Sequence, residues 1–183
     1  GPTLLAMPCN TAHAFAADVR SAIGEQAEML HMPELTIESA LHRAPAAAAD
    51  RPLVMGVLGT TGTLRSGVYH RAAEAVTARA GGRAVQLVTP EEVAGGSQCG
   101  VMEAIYGDRG IKAGHGDPAT PEGARNAALL REQQSLLLSR GGASCVIAGC
   151  TELPLVLPEE PSLLNPSQVL ADAIVWRTIR DRT

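Results

Sequence analysis

Short apolar runs alternate with segments of helical periodicity along most of the chain, and this alternation limits the fold more than any other feature. The run Leu53–Leu58 is almost continuously apolar, which is typical of a strand buried on both faces of a parallel sheet. Further short apolar runs cover residues 3–7, 27–32, 84–88, 145–148 and 162–164. The pattern therefore predicts an α/β protein with mostly parallel sheets flanked by helices.

Helical segments follow most of these runs. We predict helices at residues 11–23, 33–41, 66–80, 101–106, 121–140 and 167–181. Residues 44–52 are rich in alanine, contain Pro45 and Pro52, and carry no large apolar side chain, which indicates a linker. We therefore predict two similar lobes, with the active site in the cleft between them. The first lobe comprises residues 1–45 and 161–183, and the second comprises residues 46–160.

Composition excludes several classes of function. Of 183 residues, 45% are apolar but only 2% are aromatic, which predicts an aliphatic core. The formal charge of −4 and the lack of a basic run argue against a nucleic-acid partner. No apolar stretch has the length of a membrane span, and no signal peptide is visible. These features predict a soluble cytoplasmic protein without a membrane partner, in which the cysteines are reduced.

Two of the apolar runs end close to a cysteine. Leu4–Met7 leads to Cys9, Cys145–Ala148 leads to Cys150, and hydroxyl or amide residues follow each thiol. The field of a helix N-terminus lowers the pKa of a thiol, and we expect this effect at both positions. Two such thiols on opposite faces of a Cα–H could act as general acid and general base. Cys9 and Cys150 are therefore the candidate catalytic pair.

Three loops are expected at the carboxyl ends of the strands, where open α/β sheets bind ligands. Residues 8–13, 59–63 and 149–152 offer hydroxyls, an amide and backbone N–H groups that suit a carboxylate. Glycines 56, 59 and 62 do not form a dinucleotide fingerprint, and no Gly-Lys-Ser/Thr follows. No Cys or His pair has the spacing of a zinc site, so we predict no metal. Of the other thiols, we expect Cys145 to be a small buried side chain and Cys99 an inconsequential loop thiol.

The motifs MPCNTAH, GTTGT, IKAG and AGCTELP, in this order, resemble the aspartate/glutamate racemase family. The resemblance covers nearly the whole chain. It implies inversion of the α-carbon of Asp or Glu without a cofactor, by proton transfer between Cys9 and Cys150. It also implies a homodimer.

The resemblance further implies a set of residues that bind the acidic amino-acid substrate: Asn10, Thr11, Thr61, Thr63 and Thr151. Lys112, the only lysine of the chain, falls where such enzymes often place a cation for the side-chain carboxylate. Glu152 could orient the amino group or a thiol, or serve only as an acid in a first helical turn. We expect His13 to pack or cap locally rather than act as a base.

The chain departs from the family at its beginning. Relatives begin with further strand–helix units, so we expect the first lobe to be N-terminally incomplete, with exposed strand edges. Hydantoin racemases, maleate isomerases and arylmalonate decarboxylases resemble the same framework and are alternatives. A catalytically inactive, truncated binding protein is another alternative. A thiol redox protein that joins Cys9 to Cys150 reversibly is a third.

Overall fold

The computed structural model describes residues 3–45, 50–80 and 83–180 of the chain. Its strands are β1 Thr3–Ala6, β2 Ala27–Leu30, β3 Leu53–Gly59, β4 Val85–Val88, β5 Cys145–Gly149 and β6 Leu163–Leu164. Its α-helices are α1 Ala16–Ile23, α2 Met32–Arg43, α3 Thr61–Arg65, α4 Val68–Ala80, α5 Gln98–Tyr106, α6 Pro121–Ser139 and α7 Pro166–Arg180. Within the described ranges, no helix is long and apolar enough to cross a membrane.

The strands form two sheets. The larger sheet has four parallel strands in the order β4-β3-β5-β6, and the smaller pairs β1 with β2, also in parallel. In the larger sheet Gly59, the last residue of β3, lies opposite Gly149, the last residue of β5. The segments that follow these two strands therefore start at the same edge. The predicted α/β fold with mostly parallel sheets flanked by helices is confirmed.

Helices cover both faces of the larger sheet, because its central strands are apolar on both sides. Leu58 and Val146 pack with side chains of α5 and α6 in one cluster, while Met55 and Ile147 pack with side chains of α2 and α4 in another. Fully burying one such side chain stabilises the fold by about 1.5–3 kcal/mol. A third, small cluster of Leu30, Met32 and Leu170 joins β2, α2 and α7. Helix α2 thus packs on both sheets and sets their relative position.

The structure corrects three sequence-based predictions at the level of single elements. The GTTGT segment, predicted to be a loop, includes the short helix α3, whose first turn is capped by Thr60. Helix α5 begins at Gln98 rather than at residue 101, because the Ser97 hydroxyl accepts the N–H of Gly100 at 3.0 Å. The helix predicted from Thr11 begins as the 3-10 helix Thr11–Phe15 before α1.

The predicted linker, residues 44–52, includes residues 46–49, which lie outside the described residues, as do Gly81 and Gly82. Helix α2 precedes that segment and contacts α4, which follows it, and Arg79 binds Glu34 at 2.6 Å across it. The division into two lobes with a boundary there stays a prediction.

We predict that Gly59→Ala lowers the free energy of unfolding by about 1–2 kcal/mol, since overpacking a tight site has a cost of this order. A methyl group at Gly59 would lie 2.9 Å from the carbonyl oxygen of Gly149, and neither backbone can move without disturbing the sheet. Urea unfolding measures the change. Gly100→Ala is the control, because its methyl would approach only the Ser97 side chain, at 3.2 Å. Equal stability of the two variants would contradict the prediction.

Candidate active site

A cluster of threonine hydroxyls joins the segments that carry the two motif cysteines. Thr63 Oγ1 lies 2.7 Å from Thr11 Oγ1 and 3.1 Å from Thr60 Oγ1. The Thr63 hydroxyl also lies 3.3 Å from the carbonyl oxygen of Gly149, which it can donate to. Thr11 follows closely on Cys9, and Gly149 directly precedes Cys150. We call Thr11, Thr60 and Thr63 the threonine cluster; it brings the Cys9 segment against the carboxyl end of β5.

Local sequence explains how α3 places this cluster. Thr60 Oγ1 accepts the N–H of Thr63 at 3.2 Å, which caps a helix of a single turn. A side chain at Gly62 would come within 3.3 Å of the Thr11 methyl group, so the glycine permits the close approach of the two segments. From the other side, Gln98 Nε2 donates to the carbonyl oxygen of Gly59 at 2.9 Å. Sequence reasoning missed Gln98, since it lies in a stretch without periodicity.

The Cys9 segment is anchored by its neighbour Asn10. Cys9 is exposed, whereas Asn10 is only 3% exposed. Asn10 Oδ1 accepts a hydrogen bond of 2.5 Å from the hydroxyl of Tyr69 in α4. Burial raises the pKa of Tyr69, so its hydroxyl stays protonated and donates. The Nδ2 of Asn10 is buried and has no partner among the described residues. Tyr69 was not anticipated from the sequence.

Glu152 accepts hydrogen bonds from three side chains. Its Oε2 accepts from Cys150 Sγ at 2.9 Å and from Thr151 Oγ1 at 2.9 Å. Its Oε1 accepts from Lys112 Nζ at 2.5 Å. Lys112 lies in the 3-10 helix Ile111–Ala113, and its Nζ is also 5.3 Å from the ring centroid of Tyr106. We call Cys150, Thr151, Glu152 and Lys112 the Glu152 cluster.

The expectation that the pKa of Cys150 is lowered is wrong. Burial is the largest cause that raises the pKa of Cys150, and the hydrogen bond to Glu152 raises it further, to about 12. Cys150 is 7% exposed and packs in the apolar cluster of α5 and α6. It is followed by a turn and the 3-10 helix Leu153–Leu155 instead of an α-helix N-terminus. The predicted helix field is therefore missing, and in the free protein Cys150 is a neutral thiol.

Glu152 shows the opposite behaviour. Burial alone would raise its pKa, but the hydrogen bonds from Cys150, Lys112 and Thr151 outweigh burial and lower the pKa to about 2. The hydrogen bond to Glu152 in turn raises the pKa of Lys112. A neutral thiol, a carboxylate and an ammonium group therefore lie side by side at neutral pH.

The remaining predicted positions are placed as follows. Thr61 is half-buried; its N–H points at Met102 Sδ at 3.2 Å, and its hydroxyl lies 3.4 Å from Gln98 Nε2. All four cysteines are free thiols. Cys99 is exposed in α5, and burial raises the pKa of Cys145 to about 11. In the part of the chain that the structure describes, no group of His, Cys, Asp and Glu side chains could hold a metal ion.

Comparison with known proteins places the chain in a family. The Asp/Glu/hydantoin racemase family matches residues 1–174, and the chain therefore belongs to that family of racemases. Within it, a segment of 71 residues is 35% identical to the broad specificity amino-acid racemase RacX of Bacillus subtilis (strain 168). That segment covers 39% of this chain and 27% of RacX.

Solved structures of racemases have the same fold. The aspartate racemase of Picrophilus torridus superposes with a TM-score of 0.63 at 18% identity, over 95% of this chain and 61% of that protein. Glutamate racemase RacE1 of Bacillus anthracis gives a TM-score of 0.57 at 14% identity, over 98% of this chain and 59% of that protein. The chain thus spans about three fifths of the length of these two racemases, and at these identities the likeness establishes the fold alone.

Proposed function

We propose that the protein is a cofactor-independent racemase of an acidic amino acid, Asp or Glu, with Cys9 and Cys150 as the opposed proton-transfer groups. Membership in a family of racemases supports the reaction class. The observation that carries the two-thiol assignment is the 2.7 Å contact between the hydroxyl oxygens of Thr11 and Thr63. This contact holds the Cys9 segment at the end of β5, which Cys150 directly follows. A cytoplasmic homodimer belongs to the same proposal, and the dimeric state is supported by resemblance alone.

In the proposed reaction a thiolate takes a proton from one face of the substrate and a thiol gives a proton to the other face. Cys150 holds its proton in the free protein, since its Sγ–H donates to the Glu152 carboxylate, so it acts first as the acid. Cys9, as thiolate, takes the α-proton from one face of the substrate and becomes a thiol. Cys150 then protonates the resulting carbanion from the opposite face and becomes a thiolate. One C–H bond breaks, another forms, and the substrate is inverted without an oxidant or reductant.

Substrate binding in this proposal uses the residues around the two thiols. Asn10, Thr11 and Thr151 hold the α-carboxylate and the amino group, while Thr61 and Thr63 line the pocket. Lys112 receives the side-chain carboxylate of Asp or Glu. Because Lys112 already pairs with Glu152 at 2.5 Å, an acidic substrate must share or displace that contact.

The Lys112–Glu152 pair favours a second candidate, a racemase with broader specificity. The ammonium charge is balanced within the protein, so a substrate side chain without a negative charge leaves no uncompensated cation in the pocket. The name of RacX, a broad specificity amino-acid racemase, agrees with this candidate.

Proton exchange in D2O tests both candidates. We expect deuterium at the α-carbon, and the opposite enantiomer, when the protein is incubated with single enantiomers of Asp or Glu and followed by proton NMR and chiral chromatography. Exchange with alanine and leucine at comparable rates would favour the broad-specificity candidate. Binding of aspartate or glutamate without exchange at any α-carbon would refute racemisation and indicate a binding protein.

A further inference from the structure

His13 connects the carbonyl group of Cys9 to the start of helix α2. Its ring is 3% exposed, and Nδ1 lies 2.8 Å from the carbonyl oxygen of Cys9. On the other side of the ring, Nε2 accepts the backbone N–H of Met32 at 3.2 Å. A backbone N–H can only donate, so Nε2 carries no proton. The proton is therefore on Nδ1, which donates to Cys9, and the ring is neutral in one defined tautomer.

The surroundings keep this ring neutral. Burial lowers the pKa of His13, and the hydrogen bond to Cys9 offsets only part of that effect. His31 packs edge-on, with its ring centroid 4.9 Å away, and burial lowers its pKa to about 4. The other charged groups facing the pair are Arg20 of α1, Glu34 of α2 and Arg79 of α4. Glu34 Oε1 lies 3.3 Å from His31 Nδ1 and raises the pKa of both rings, but burial outweighs this effect, and the same carboxylate also binds Arg79 at 2.6 Å and lies 3.7 Å from Arg20.

We propose that His13 is the positioning residue of Cys9, which fixes the direction of that thiol by donating from Nδ1 to the Cys9 carbonyl group. The Cys9 N–H already donates to the carbonyl oxygen of Met7 at 2.8 Å, so His13 secures the opposite end of the same residue. An exposed side chain on a short loop needs such support, because proton transfer tolerates only small errors in position. The role in catalysis rests on the proposed function, whereas the effect on the Cys9 segment does not.

Two amide variants, each of which reproduces the position of one ring nitrogen, separate the two hydrogen bonds. In His13→Asn the amide nitrogen replaces Nδ1 and keeps the bond to Cys9, while the bond to Met32 is lost. In His13→Gln the amide oxygen replaces Nε2 and keeps the bond to Met32, while the bond to Cys9 is lost. His42→Gln is the matched control, since His42 Nδ1 contacts the carbonyl oxygen of Glu38 at 2.7 Å with the same sequence spacing but in an exposed position.

Amide hydrogen exchange of residues 7–13, followed by mass spectrometry, measures directly how often the backbone of the Cys9 segment opens. We expect exchange to be about fivefold to tenfold faster in His13→Gln, as for the loss of one hydrogen bond, and near wild type in His13→Asn and His42→Gln. Racemisation by His13→Gln should show kcat reduced about tenfold or more with little change in KM, and His13→Asn should restore kcat. Equal exchange in all three variants, or equal acceleration in both His13 variants, would overturn the proposal.

The pH dependence of the wild-type protein gives a second measurement that needs no variant to fold. A protonated His13 cannot accept the N–H of Met32 but still donates from Nδ1 to Cys9. Below the lowered pKa the Met32 amide should therefore lose protection, measured against the intrinsic exchange rate at each pH, while residues 7–13 keep theirs. Unchanged protection of Met32, or an equal loss of protection in residues 7–13, would also overturn the proposal. If the protein does not racemise any amino acid, the exchange data still decide the role of His13. If exchange accelerates in His13→Gln but kcat is unchanged, the positioning role in catalysis is refuted.

Discussion

Replacing either Cys9 or Cys150 by serine is expected to lower the racemisation rate by about 10²–10⁴-fold, the usual contribution of one general acid or base. A serine hydroxyl is a much weaker acid than a thiol, and its conjugate base is not formed near neutral pH. At position 150 the hydroxyl can still donate to Glu152, which accepts from Cys150 at 2.9 Å, so the Glu152 cluster should persist. The loss would therefore report proton transfer and not a collapsed site.

Polarimetry from each pure enantiomer measures this loss, with unfolding curves to verify that the variants fold. Cys99→Ser is the matched control, because Cys99 is an exposed thiol on α5, and its activity should equal that of the wild type. The double variant Cys9→Ser/Cys150→Ser should be no worse than the poorer single variant by more than a small factor, because both thiols act on one substrate. Full activity in either single serine variant would refute the two-thiol mechanism.

The sequence predicted best those features that depend on local periodicity. The strands β3 and β5 are continuous apolar runs, and the predicted bounds of each agree with the structure to within a residue or two. A strand that is buried on both faces of a parallel sheet is apolar along its whole length, so the run marks the strand. The same reasoning placed residues 8–13, 59–63 and 149–152 at strand ends, and the contacts of Thr11, Thr63 and Gly149 show that they meet.

Features that depend on distant partners could not be predicted. Gln98 holds Gly59, the last residue of β3, from a segment with no periodic signal. The thiol of Cys150 owes its raised pKa to burial among side chains of α5 and α6, and sequence alone suggested the opposite sign. The Lys112–Glu152 pair joins residues 40 positions apart, and nothing in either motif indicates that the cation is engaged.

Replacing Glu152 by glutamine should lower the pKa of the Cys150 thiol below about 12, because it removes the carboxylate while Lys112 remains. Burial of Cys150 is unchanged in this variant, so the pKa should stay above that of an exposed thiol. Ultraviolet titration of the thiolate measures the change in a protein in which Cys9, Cys99 and Cys145 are replaced by serine. An unchanged titration of Cys150 would contradict the assigned role of Glu152.

The same variant should lose about 2–3 kcal/mol of unfolding free energy at pH 7, the order expected for hydrogen bonds to a charged acceptor. Because the pKa of Glu152 is lowered from 4.5 to about 2 in the folded protein, its contribution is fully present above pH 4.5 and disappears as the pH falls towards 2. Urea unfolding at both ends of that range should therefore show a difference in unfolding free energy between wild type and Glu152→Gln that shrinks on acidification.

Glu122→Gln is the control for this measurement. The Glu122 carboxylate lies 3.8 Å from the exposed Arg109, and its loss should change the unfolding free energy by less than about 0.5 kcal/mol. A difference between wild type and Glu152→Gln that stays constant with pH would show that the lost stability came from packing, and that the carboxylate charge does not hold the Glu152 cluster together.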